Sequence, residues 1–257
     1  MQKGTCKLCL QERELCKESH IIPSFLYKFL YGPNHLLVYL HQNGPQFKYN
    51  GEYESNILCK ECDEGILGKL DDYAAKFIHN GFRTKINPRL EIIDSRQCCV
   101  IEKDPNYDYS RFKLFLLSLL WRGSISSRPF FQNLKLDLEV EEKLRLMIKH
   151  SQPGEPDEYA CFMYLPPLTP TPDGGMDFKT FYMPTTSLQQ AKRDGWEFCE
   201  FTIIGMKYYF LISRPTGTKV LPGVEKDKLT IGFSSIEEQE KLIEQIIQIM
   251  QNHPRRK

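Results

Sequence analysis

The chain has 257 residues, 41% of them hydrophobic, 12% aromatic and 26% charged, too apolar for a disordered chain and long enough for one large domain or two modest ones. A formal charge of +1, from 34 Lys and Arg against 33 Asp and Glu, argues against a protein that coats nucleic acid by bulk electrostatics. Any nucleic-acid contact has to be a local patch.

The N-terminus runs Met1-Gln2-Lys3-Gly4 into Cys6-x-x-Cys9 without the apolar stretch of a secretory signal. There are nine cysteines, an odd number, so metal ligation is the stronger reading and a disulfide framework the weaker. A cytoplasmic, reducing location is expected. The longest apolar run, Leu114 to Trp121, falls far short of the roughly 20 residues that span a bilayer, so no membrane partner is expected.

Cys6-x-x-Cys9 and Cys59-x-x-Cys62 are the most specific feature. Two thiols at i and i+3 fit one side of a tight knuckle, and two such pairs supply the four soft ligands of a closed, structural, tetrahedral Zn²⁺ site. Cys16 is a possible alternate ligand without a partner at knuckle spacing. Within the 49 residues from Cys9 to Cys59, Leu36 to Leu40 reads as a strand flanked by His35 and His41, read as edge histidines. After Cys62 come acidic Asp63 and Glu64, then Ile66, Leu67, Leu70, Tyr73, Ala74, Phe77 and Ile78 at helical spacing, closed by His79. Knuckle, hairpin and a helix carrying the second ligand pair make a treble-clef arrangement. Arg83, Lys85 and Arg89 form the basic stretch nearest this region and are the candidate phosphate contacts, with Tyr27, Tyr31 and Tyr49 as stacking faces.

From Tyr109 to His150 the pattern is helical: Phe112, Phe115, Leu116, Leu119 and Leu120 recur at core-facing steps, and Val140, Leu144 and Ile148 repeat the spacing. Cys98, Cys99, Cys161 and Cys199 read as buried small hydrophobes. Strands are expected at Tyr159 to Leu165, Phe178 to Met183, Phe198 to Ile204 and Lys207 to Ser213, the last two forming a hairpin at Gly205-Met206. The proline-rich segment Pro166 to Gly175 reads as an irregular connection. A final helix, Ile236 to Gln251, follows Ser234-Ser235 and either docks on the second domain or mediates self-association. The expected fold is α+β: a zinc domain over residues 1–95, then helices, a small antiparallel sheet and a C-terminal helix over 96–257.

Between the cysteine pairs lies Glu18-Ser19-His20-Ile21-Ile22-Pro23. With Cys6, Cys9, Leu58, Cys59, Cys62 and Asp63, this resembles the HNH endonucleases of the zinc-bound ββα-metal type, over roughly the first 80 residues. The Ser-His-Ile-Ile-Pro variant, together with Leu120 to Arg122, is similar to uncharacterised bacterial HNH-like proteins. The resemblance implies that His20 is the general base, that Asp63 holds a catalytic Mg²⁺ or Mn²⁺, and that the substrate is nucleic acid, DNA by preference, in a role such as bacterial defence. Imidazole titrates near neutral pH, as a base for phosphodiester hydrolysis must, and a hard cation stabilises the charge on phosphate. Ser19 stands where the family has an acid; Glu18 could substitute for it, with Glu64, Asp71 and Asp72 as other candidates further along the helix. The alternative is a catalytically silent zinc module that binds nucleic acid or protein. A small-molecule enzyme in the C-terminal half finds no supporting motif.

Overall fold

In the computed structural model, the described residues are 2–27, 37–41, 44–48, 51–81, 89–93, 96–165, 169–170, 176–177, 185–203, 206–220 and 223–235, with positions 237, 244 and 248. Among the described residues the fold is a mixed α/β arrangement of three α-helices and a large mixed sheet.

A hairpin of β1 (Gln2–Thr5) and β2 (Glu12–Leu15) opens the chain and carries the first knuckle at its tip. Next, β3 (Ser19–His20) pairs antiparallel with β6 (Tyr53–Glu54), setting Ser19 opposite Glu54 and His20 opposite Tyr53. Between them, β4 (Leu37–His41) and β5 (Gly44–Lys48) form a hairpin that leaves this region for the edge of the large sheet. After β6 the chain enters a helical stretch, Glu61 to Gly81, in which α1 (Gly68–Ala75) is flanked by π-helical turns at Glu61–Leu67 and Lys76–Gly81. Its buried residues Cys62, Leu67, Leu70, Ala74, Phe77 and Ile78 follow the apolar spacing of the sequence.

The sheet is neither small nor purely antiparallel, as the sequence had suggested. Nine strands run in the order β5-β4-β12-β13-β14-β9-β15-β8-β7, with β4/β12 and β9/β15 parallel. The additional strands are β7 (Arg89–Ile93), β8 (Arg96–Glu102), β12 (Thr185–Arg193) and β15 (Lys228–Phe233). In β8, Cys98, Cys99, Val100 and Ile101 are all buried, so the strand lacks the polar alternation by which half-exposed strands are recognised. The expected strands appear as β9 (Cys161–Leu165), β13 (Trp196–Ile203) and β14 (Met206–Ser213), the last two an antiparallel pair. Thr169–Pro170, inside the proline-rich segment, pairs as β10 with β11 (Met176–Asp177). The strand expected at 178–183 lies outside the described residues, as does the C-terminal helix over 236–251 apart from Glu237, Glu244 and Gln248.

Two helices join the zinc end to the sheet. Helix α2 (Tyr109–Ser124) starts at Asp108, whose side chain caps the N–H of Arg111, and every residue from Phe112 to Gly123 is buried. A helix buried all round needs neighbours on every side, and α2 packs against α1, α3 (Leu138–Lys149) and β9. Phe77 meets Phe112 edge to face at 5.2 Å, and Phe25 meets Phe115 at 5.8 Å. The expected boundary at residue 95 lies outside the described residues, and one buried cluster extends from Cys6 to Phe233. Among the described residues no helix is long and apolar enough to cross a membrane.

Candidate functional site

The four predicted zinc cysteines come together. The Sγ atoms of Cys6, Cys9, Cys59 and Cys62 all lie within 4.8 Å of one another, and those of Cys9 and Cys59 are 4.0 Å apart. Zinc–sulfur bonds of about 2.3 Å in a tetrahedron require sulfur–sulfur edges of about 3.8 Å, so the set fits a structural zinc ion. Local backbone geometry builds the site. The Leu10 N–H bonds the Cys6 carbonyl at 2.8 Å and Leu10 turns through φ 60°, closing the first knuckle. On the other side, the N–H groups of Cys62 and Asp63 both reach the Cys59 carbonyl, at 3.1 and 2.9 Å.

The two halves are sewn together by Lys7 N–H to Ile57 O, Cys16 N–H to Leu58 O, and Cys59 N–H to Cys6 Sγ at 3.3 Å. Burial opposes ionisation of Cys6, yet backbone N–H groups of Cys9, Cys59 and Leu8 outweigh it and hold this thiol below its ordinary value. Burial pushes Cys59 up to about 12 and raises Cys62 as well. Thiols gathered away from water are ionised by a bound cation, which is the environment a structural metal supplies. Cys16 is half-buried and stands outside the four-sulfur cluster.

Beside this centre lies a charged cluster. His20, on β3, is exposed, while its neighbour Ser19 is fully buried. Asp63 sits in the π-helical turn that follows Cys59, where the Gly68 N–H reaches back to the Asp63 carbonyl. Such widened turns recur at functional positions. Burial raises the Asp63 carboxyl above its ordinary value; the Arg122 guanidinium, the Ser19 hydroxyl and His20 pull it down, and Asp71 adds to the rise. Ser19 Oγ makes no hydrogen bond of ordinary geometry, but is near enough to Asp63 to act on its ionisation. His20 and Asp63, far apart in sequence, thus share one electrostatic environment.

Among the described residues, the other predicted ones are dispersed. Glu18 is exposed just ahead of β3, and Glu64 is exposed with Lys60 3.8 Å away. Arg89 lies exposed on the edge strand β7, ion-paired with Glu91 and with Glu102 at 3.7 Å. Arg83, Lys85, His35, Tyr31 and Tyr49 lie outside the described residues, as do the side chains of His41 and His79. Tyr27 is no stacking face: it is fully buried, and its hydroxyl accepts the Glu52 N–H at 3.2 Å. Asp72 is exposed, whereas Asp71 is gripped by Arg122.

Arg122, named in the sequence only within the segment Leu120 to Arg122, is the residue to which sequence reasoning gave no role. The signal was a cation inside an apolar helical run, where a buried charge demands a partner. No family model, curated protein or solved structure matches the chain.

Proposed function

We propose that the protein is an endonuclease of the HNH, ββα-metal type that hydrolyses phosphodiester bonds of nucleic acid, with DNA as the preferred substrate. One observation carries the reading: an exposed His20 on a short strand is tied through Arg122 to the helical stretch that carries Asp63, which stands next to the last cysteine of the four-sulfur cluster. The order of knuckle, β3, β6 and helix supports a treble-clef reading, in which zinc would clamp the hairpin to the helix and take no part in the chemistry.

In this reading His20 removes a proton from water, the freed oxygen attacks phosphorus, the bond from phosphorus to the 3′ oxygen breaks, and that oxygen is protonated by solvent. Asp63 is the residue that would hold Mg²⁺ or Mn²⁺, which when bound stabilises the negative charge growing on the phosphate.

A plasmid-nicking assay scanned over divalent metals tests the proposal. Cleavage that His20→Ala abolishes, with one zinc per chain retained, supports it. Equal cleavage by His20→Ala and the unaltered protein under matched metal overturns it. The buried Ser19, a hydroxyl where the family has an acid, favours a second reading, a zinc module that binds without cutting. Salt-dependent retention of nucleic acid without product in any metal would establish that reading instead.

A further inference from the structure

Arg122 lies in the last turn of α2, beyond the ββα segment in the chain, and its side chain is 2% exposed. Guanidinium carries five N–H donors, and here each has an acceptor. Nη1 donates to Asp71 Oδ2 at 2.9 Å and to the backbone oxygen of His20 at 3.3 Å. Nη2 donates to Asp71 Oδ1 at 2.8 Å and to Ser118 Oγ at 3.0 Å, and Nε donates to the Ser118 carbonyl at 3.2 Å. The fork therefore links three elements: its own helix α2, the helix α1 through Asp71, and the strand β3 through His20 itself. Its charge also acts on the Asp63 carboxyl.

We propose that Arg122 is the positioning residue of the site: it sets the His20 strand against the helix bearing Asp63 and neutralises Asp71. The inference rests on the nuclease reading for its catalytic consequence, and on the five contacts for its structural one. It makes α2 part of the site. A lysine at this position keeps the charge but concentrates three donors on one nitrogen, which cannot span Asp71, Ser118 and the His20 carbonyl together. Displacing a catalytic group by about 1 Å can cost on the order of a hundredfold in rate, so the effect belongs in kcat.

The test uses the full zinc-loaded chain as Arg122→Lys and as Asp71→Asn, the second keeping an acceptor for the fork should the first fail to fold. One measurement is cleavage kinetics. The other is the ring ¹H–¹⁵N spectrum of protein labelled at its six histidines, with the His20 signal identified by its loss in His20→Ala.

With zinc content unchanged, Arg122→Lys is expected to lower kcat about tenfold or more with KM within about twofold. It should move the His20 ring signal while leaving the other histidines in place. An unmoved His20 signal in both variants, or a loss confined to KM, overturns the proposal. If the unaltered protein cuts nothing, the nuclease reading falls separately. The ring signal then still decides whether Arg122 holds His20.

Discussion

Arg145 of α3 donates from Nη1 to the carbonyl oxygen of Leu8 at 2.5 Å, so the third helix holds the loop between the first two cysteines. Its Nε and Nη2 bond Glu142 at 2.7 and 2.6 Å, which fixes the guanidinium for that contact. Lys7 makes a second tie, from Nζ to the Ile125 carbonyl at 2.7 Å just beyond α2. The knuckle is thus seated on helices from the middle of the chain.

Arg145→Ala leaves the buried Leu8 carbonyl without its donor, at a cost of about 1–3 kcal/mol. The expected outcome is a lower urea midpoint with an unchanged m-value, and faster zinc loss to a chromophoric chelator. An unchanged rate of loss would mean that the knuckle holds its shape without α3.

Elemental analysis of the purified chain is expected to give one zinc, and Cys62→Ser close to none. Structural zinc contributes about 10–16 kcal/mol in small finger peptides, comparable with or above the whole stability of a typical domain. Chelation should therefore melt the segment that holds β1, β2, β3 and β6, with a matching loss of amide-exchange protection there.

Thiol reactivity separates the cysteines by environment. Cys98, Cys99, Cys161 and Cys199 are buried, and burial raises Cys161 and Cys199 to about 12 and Cys99 to about 11. With zinc occupying its four ligands, a native titration with a disulfide reagent should find about one reactive thiol, the half-buried Cys16, and that one slowly. Burial, followed by the carboxylates of Asp63 and Glu64, raises its pKa. Adding a chelator should release about four more.

Glu54, opposite Ser19 on β6, receives Ser126 Oγ at 2.7 Å, Ser127 N–H at 2.9 Å and Ser127 Oγ at 2.5 Å. Burial pushes its carboxyl up, but the bonds from Ser127 and Ser126 outweigh it and hold it below the ordinary 4.5. A carboxyl lowered on folding stabilises the protein above its unfolded pKa and loses that contribution as pH falls through the folded one. Glu54→Gln should therefore cost about 1–2 kcal/mol at neutral pH. The gap from the unaltered protein should close in denaturation curves taken below about pH 4. A gap independent of pH would show that shape rather than charge matters at this position.

The parts of the structure legible in the sequence are those set by local spacing. Cys-x-x-Cys brings two sulfurs to one knuckle whatever surrounds it, and the apolar period from Ile66 to Ile78 specifies a helix with one buried face. Helices α2 and α3 and strands β9, β13 and β14 follow from the same local signals. Strand β12 carries Gln189, Gln190, Lys192 and Arg193, a polar run that becomes a strand because β13 and β4 pair with it. Its identity comes from neighbours, not from its own pattern.

The sequence by itself determined the two cysteine knuckles, the helical faces and the placement of an imidazole before the second cysteine pair, because each depends on residues within a few positions of one another. Only the tertiary structure decided that the hairpin at 37–48 joins the large sheet, that Tyr27 is enclosed, and that Arg122 grips Asp71 and the His20 carbonyl. Those partners lie 51 and 102 residues from Arg122. A buried charge at one position declares that it needs a partner, but its choice among distant carboxylates and carbonyls is made when the helices pack.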